Sequence, residues 1–140
     1  MWETAFIKIA VGAIVVFAII AVWFGTHLML HPWIKNPDGI ATITGSCGDT
    51  MEIALKFNNG RVERTHQWTN GCTISKMCVE SAVSLAMGKT AAQIQEITAA
   101  AIMEKTGTLP ETHLHCAHLA LTTLHAAAAK YELRLEDHPG

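Results

Sequence analysis

The sequence predicts an α+β fold: a small antiparallel sheet with helices packed on one face, preceded by a single transmembrane helix. Three observations predict it. A long apolar run opens the chain, an alternating segment with an Asn-Gly turn occupies the middle, and after Gly71 the apolar residues recur at helical spacing.

The first element is the apolar run. From Ala5 to Phe24 the chain reads "AFIKIAVGAIVVFAIIAVWF", with Lys8 its only charge. About 20 apolar residues at ~1.5 Å each span roughly 30 Å, the thickness of a bilayer core. Trp2 and Trp23 bracket the run and Trp33 follows, where aromatic rings favour the membrane interfaces. The run is too long for a secretory signal and ends in bulky residues rather than small ones. Residues 1–25 are therefore expected as a transmembrane anchor, 26–38 as a juxtamembrane linker and 39–140 as the folded domain. Pro32 and Pro37 argue against one continuous helix through the linker. His27 and His31 stand four apart there, a spacing more often interfacial than ligating.

The strands come next. A short strand is expected at Ile40 to Thr44. In "MEIALKF", Met51, Ile53, Leu55 and Phe57 alternate with Glu52 and Lys56, the pattern of a half-buried strand. Asn59-Gly60 is the strongest short hairpin signal, and Arg61 to Thr69 reads as the return strand.

Helices follow. Ile74, Met77, Cys78, Ala82 and Leu85 share one helical face, and Gly88 is a natural stop. Thr90 with Gln93 forms a capping box for a short helix, and Thr98 caps another that ends at Gly107. After the loop "TLPET" a last helix runs from about His115 through "LALTTLHAAAAKYELRL", leaving "EDHPG" as a frayed tail.

Composition narrows the function. From Asn36 onward there are eight Lys and Arg against eleven Asp and Glu. Without a basic stripe, nucleic acid is not an expected partner. Four cysteines are too few and too scattered for a disulfide scaffold. Beside histidines they fit metal or catalytic work in a reducing compartment, so the domain of this single-pass cell-membrane protein is expected in the cytoplasm.

Three cysteines sit at junctions: Cys47 in "TGSCGDT", Cys72 in "TNGCT" and Cys116 in "LHCA". A thiol at a helix N-terminus feels the positive end of the dipole and ionises more readily, and thiolate is the form that binds soft metals. A zinc site completed by His115 or Asp49 and an iron–sulfur site fit the spacing about equally. Cys78 lies on an apolar helix face and reads as a core thiol.

The stretch "GSCGDTMEIALKFNNGRVERTHQWTNGC", then "MGKT", then "LPETHLHCAHLALTTLHAA" resembles the IscU/NifU N-terminal family of iron–sulfur cluster assembly scaffolds. A Cys-Gly-Asp motif before the strands, a Gly-Cys after them, a Gly-Lys turn and a Leu-Pro…His-Cys loop stand in that order. The resemblance covers about Asp38 to Tyr131. It implies a [2Fe–2S] cluster on Cys47, Cys72 and Cys116, with Asp49 or His115 as an exchangeable fourth ligand. It also implies that Cys116 receives sulfur from a cysteine desulfurase, and that acceptor apo-proteins take the finished cluster. In this chain a membrane helix replaces the family's soluble N-terminus. His113 stands where many members carry a lysine, and His118 adds a further imidazole.

The expected function is a membrane-anchored scaffold that holds a cluster and passes it on, not an enzyme acting on a small substrate. Two alternatives use the same thiols. One is an electron-transfer subunit docked on integral membrane redox subunits; the other is an adaptor stabilised by Zn2+.

Overall fold

The computed structural model describes residues 1–30, 34–107 and 110–138. The chain forms two compact units that divide after Trp33.

The first unit is one helix, α1 (Trp2–Leu30). At 29 residues it is about 43 Å long, enough to cross a bilayer core with some tilt. It continues through Thr26–Leu30, into the stretch expected as linker. Pro32 chiefly restricts the residue before it, so the preceding turn is free to stay helical. His31 lies outside the described residues, and so does its pairing with His27; the His27 ring packs on Trp23 with centroids 5.5 Å apart.

The second unit is the α+β domain. Strands β1 (Gly39–Thr44), β2 (Thr50–Asn58) and β3 (Arg61–Thr69) form an antiparallel sheet in the order β1-β2-β3. The alternation in β2 sends Met51, Ile53, Leu55 and Phe57 into the core. Asn59 and Gly60 both take positive φ, 50° and 75°, as the tight hairpin turn demands. One irregularity, between Lys56 and Phe57, breaks the β2–β3 register.

Helices α2 (Thr73–Ala86), α3 (Ala91–Gln95), α4 (Ala99–Thr106) and α5 (Leu114–Asp137) follow, with a 3-10 turn at Glu111–His113 ahead of α5. Thr90 and Gln93 make both bonds of the capping box, at 3.2 and 3.1 Å. Thr98 accepts from Ala101 N at 3.2 Å. The last helix extends through Asp137, so Glu136 and Asp137 of the expected tail are helical; Pro139 and Gly140 lie outside the described residues.

Helix α5 lies on β1 and β2, and α2 packs between α5 and β3. The Tyr131 ring stacks on Phe57 with centroids 3.8 Å apart. Gly39 allows this approach, because a Cβ there would collide with the Ala127 carbonyl. The three junctions that carry Cys47, Cys72 and Cys116 therefore face one another: β1 to β2, β3 to α2, and the start of α5.

Candidate functional site

The first junction is a tight turn. Gly48 N donates to Gly45 O at 3.0 Å and Gly45 N donates to Asp49 O at 2.8 Å. Gly48 takes φ +89°, a conformation that other residues adopt only with strain. The turn leaves Cys47 exposed at its tip. It also lies against α5, since a Cβ on Gly45 would stand 3.0 Å from Leu119 and 3.5 Å from Cys47 Sγ.

The second junction is pinned to the first. Thr50 N donates to Asn70 Oδ1 at 2.7 Å. Thr69 Oγ1 donates to Thr50 O at 2.7 Å and accepts from Gly71 N at 3.1 Å. A Cβ on Gly71 would lie 2.5 Å from Asp49 Oδ2 and 2.7 Å from Ser75 Oγ, so a glycine is required for the two loops to meet. Cys72 then caps α2, with φ −70° and ψ 177°. Its thiol is exposed and its pKa lies below the ordinary value. The Ser75 backbone N–H is the main cause, followed by the Ser75 hydroxyl and the Ile74 N–H.

The third junction delivers Cys116 in the first turn of α5, only 1% exposed. Here the expectation that a helix N-terminus promotes ionisation is reversed. Burial pushes the Cys116 thiol up, and the neighbouring charges of Cys72, Asp49 and Cys47 add to the rise, while the Ser75 hydroxyl works against it. Cys78 is fully buried, as its place on the apolar face suggested, and burial raises its pKa to about 11.

At the centre is a residue that the motifs do not flag. Ser75 is fully buried. Its hydroxyl donates to Asp49 Oδ2 at 2.6 Å and lies 3.4 Å from Cys116 Sγ and 3.7 Å from Cys72 Sγ. The signal available in the sequence was its spacing: Ser75 is three residues after Cys72, one turn further along the same helix.

The structure thus gathers Asp49, Cys72 and Cys116 around one hydroxyl, with Cys47 at the rim. His115 is not among the hydrogen-bonded partners of that hydroxyl. It is exposed, with its ring 6.2 Å from that of His113, whose Nδ1 is 2.9 Å from Thr112 Oγ1. His118 is also exposed. Among the described residues, no three His, Cys, Asp or Glu side chains are already close enough together to hold a metal ion. The donors are of the right kind, soft sulfur with one hard carboxylate, and the Ser75 hydroxyl stands among them.

A two-layer α+β domain with three cysteines and an aspartate meeting at one end is the class that fold and site define. The chain belongs to the NifU-like N terminal domain family, which it matches over residues 35–137. It is 34% identical over 99 residues to each of two proteins of Archaeoglobus fulgidus, iron–sulfur cluster assembly scaffold proteins IscU 1 and IscU 2. Those matches span 70% of this chain and 65% of each relative. It is 31% identical over 91 residues to the scaffold protein IscU of Aquifex aeolicus, spanning 64% of this chain and 58% of that relative. The matched part is thus less than two thirds of these relatives' length. In fold it is similar to the N-terminal NifU-like protein of Brucella abortus, with TM-score 0.57 at 17% identity, covering 72% of this chain and 83% of that one.

Proposed function

We propose that this chain is an iron–sulfur cluster scaffold tethered to a membrane by α1. It would assemble a [2Fe–2S] cluster on Cys47, Cys72 and Cys116, with Asp49 as fourth ligand, and release it to acceptor proteins. The observation that carries the reading is the meeting of Asp49, Cys72 and Cys116 at the Ser75 hydroxyl. Similarity to the curated scaffolds supports the class.

The cluster is cargo here, and the residues suit transient holding. A carboxylate is a poorer partner for cluster iron than a thiolate, so the Asp49 corner is where an acceptor's thiolate would enter. Asp49 is favoured over His115 because it already shares a hydroxyl with two of the cysteines, while His115 is exposed beside His113. Sulfur would come from a cysteine desulfurase. Cys116 is buried, so its proposed role as sulfur acceptor requires the start of α5 to open. The tether would keep the domain at a cytoplasmic membrane surface.

The test is anaerobic. The full chain, solubilised gently from its native membrane, is mixed as isolated with an apo-ferredoxin and a chelator, and visible absorbance is followed. Colour passing to the ferredoxin within minutes is the expected result. A cluster that stays and titrates reversibly with reductant would replace the scaffold by an electron-transfer subunit. A colourless protein holding zinc would replace both by a zinc-stabilised adaptor.

A further inference from the structure

The Ser75 hydroxyl has three partners, and its hydrogen-bonding capacity is three. A hydroxyl carries one hydrogen and two lone pairs. The hydrogen goes to Asp49 Oδ2 at 2.6 Å, a short bond to a charged acceptor. While the two thiols are protonated, the lone pairs are left for the hydrogens of Cys116, at 3.4 Å, and Cys72, at 3.7 Å. Ser75 is fully buried, so these partners complete its bonding. The hydroxyl is therefore satisfied by these three partners alone.

Metal changes that count. A sulfur bound to metal has no hydrogen to give and can only accept. With both sulfurs bound, the hydroxyl would face three acceptors with a single hydrogen, and two of the three contacts would lose their bond. The carboxylate has an alternative partner, because it can join the metal. The sulfurs do not, because they are already on it.

We propose that Ser75 is a positioning residue, a latch that holds Asp49 in the metal-free chain and releases it as Cys72 and Cys116 take up metal. On loading, the two thiol protons leave to solvent. The serine keeps its proton and turns it from the carboxylate to a sulfur. Asp49 is thus withheld until both thiols are engaged, which makes it the last ligand to arrive. Gly71 forms the wall of the latch, since any side chain there would strike both Asp49 and Ser75. The inference rests on the reading of Cys72, Cys116 and Asp49 as ligands, and its test separates the two.

The probe is zinc alone, titrated into the full-length chain in detergent against a chromophoric chelator. Four proteins are compared: the parent, Asp49→Ala, Ser75→Ala and the double variant. Asp49→Ala should bind zinc more weakly. Ser75→Ala should bind it about tenfold more tightly, because a charge-assisted hydrogen bond no longer has to be surrendered. In the Asp49→Ala background the serine change should have less than about a twofold effect, since no latch remains to be opened. A merely structural serine would shift affinity equally in both backgrounds, and that result overturns the latch. Unchanged zinc affinity in Asp49→Ala overturns the ligand reading, and the latch falls with it. Alanine is serine without its oxygen and is the best helix former, so Ser75→Ala keeps α2 intact, and circular dichroism of all four proteins checks it.

Discussion

At the scale of single residues, the four thiols differ because their surroundings differ. Cys72 is exposed at the N-cap of α2, and nearby backbone N–H groups draw its pKa down. Cys116 and Cys78 are buried, and burial draws theirs up. Reaction needs both thiolate and access, so iodoacetamide at pH 7.5 on the metal-free chain should label Cys72 fastest and Cys78 slowest. Peptide mass spectrometry over a time course reads the order, and early labelling of Cys116 would contradict the packing at the start of α5. Cys78 also predicts a pH effect. Its thiol ordinarily ionises at 9.0, and in the folded chain at about 11. Between those values the unfolded chain has lost the proton that the folded chain retains. Stability should therefore fall as pH rises from about 9 towards 11, the sign expected for an acid whose neutral form is favoured by folding. Urea melts at pH 8 and pH 10.5 measure this, and Cys78→Ala should show a smaller fall than the parent. Asp49→Ala bears on function. If Asp49 is the exchangeable corner, its loss should slow cluster hand-off to apo-ferredoxin several-fold, and an unchanged rate would remove that role.

At the scale of elements, the domain shows which features local chemistry makes legible. The Asn59-Gly60 turn, the alternation in β2 and the Thr90–Gln93 box each depend on residues within a few positions of one another. The structure has each of them. Thr90→Ala removes one bond of that box and should cost about 1 kcal/mol of stability, readable as a lower urea midpoint at unchanged slope. Features that depend on distant partners were not legible. Gly39 looks like an ordinary strand opener until α5 brings the Ala127 carbonyl against it. The dipole argument for Cys116 was sound for an isolated helix, yet burial by other elements outweighed it. Ser75 is the fullest case. A serine in the first turn of a helix is commonplace, and its meaning appears only when three junctions meet. The cysteines and Asp49 could be singled out because their chemistry is conspicuous in sequence and their motifs resemble a family's. How they are arranged could not. Gly71→Ala tests that arrangement directly. Its Cβ would be driven into Asp49 and Ser75, so the loops should part and zinc affinity should drop about tenfold or more, with the β2–β3 hairpin intact by circular dichroism.

At the scale of the whole molecule, the chain joins two solutions to burying apolar surface. The domain from Ile34 onward has its own core, in which Met51, Ile53, Leu55, Ile94, Ile102 and Leu124 are fully buried. Helix α1 has no such core. Its Phe6, Ile14, Phe17, Ile19 and Val22 are each more than half exposed, on faces all around the helix. A helix apolar on every side needs an apolar environment, and a bilayer is one that matches its length. Length and composition alone are shared by spans, signal sequences and buried helices, so the physical distinction has to come from partition. If α1 is a permanent anchor, the full chain should sediment with membranes and resist alkaline carbonate, with Met1 retained at its N-terminus. A chain begun at Ile34 should appear in the supernatant and melt cooperatively, because its core residues all lie beyond that point. Release of the full chain by carbonate would mean that α1 is covered by another protein instead of lipid. A mature chain found to begin after Phe24 would mean that the helix is a removed leader, and the cluster chemistry proposed for the domain would then operate untethered.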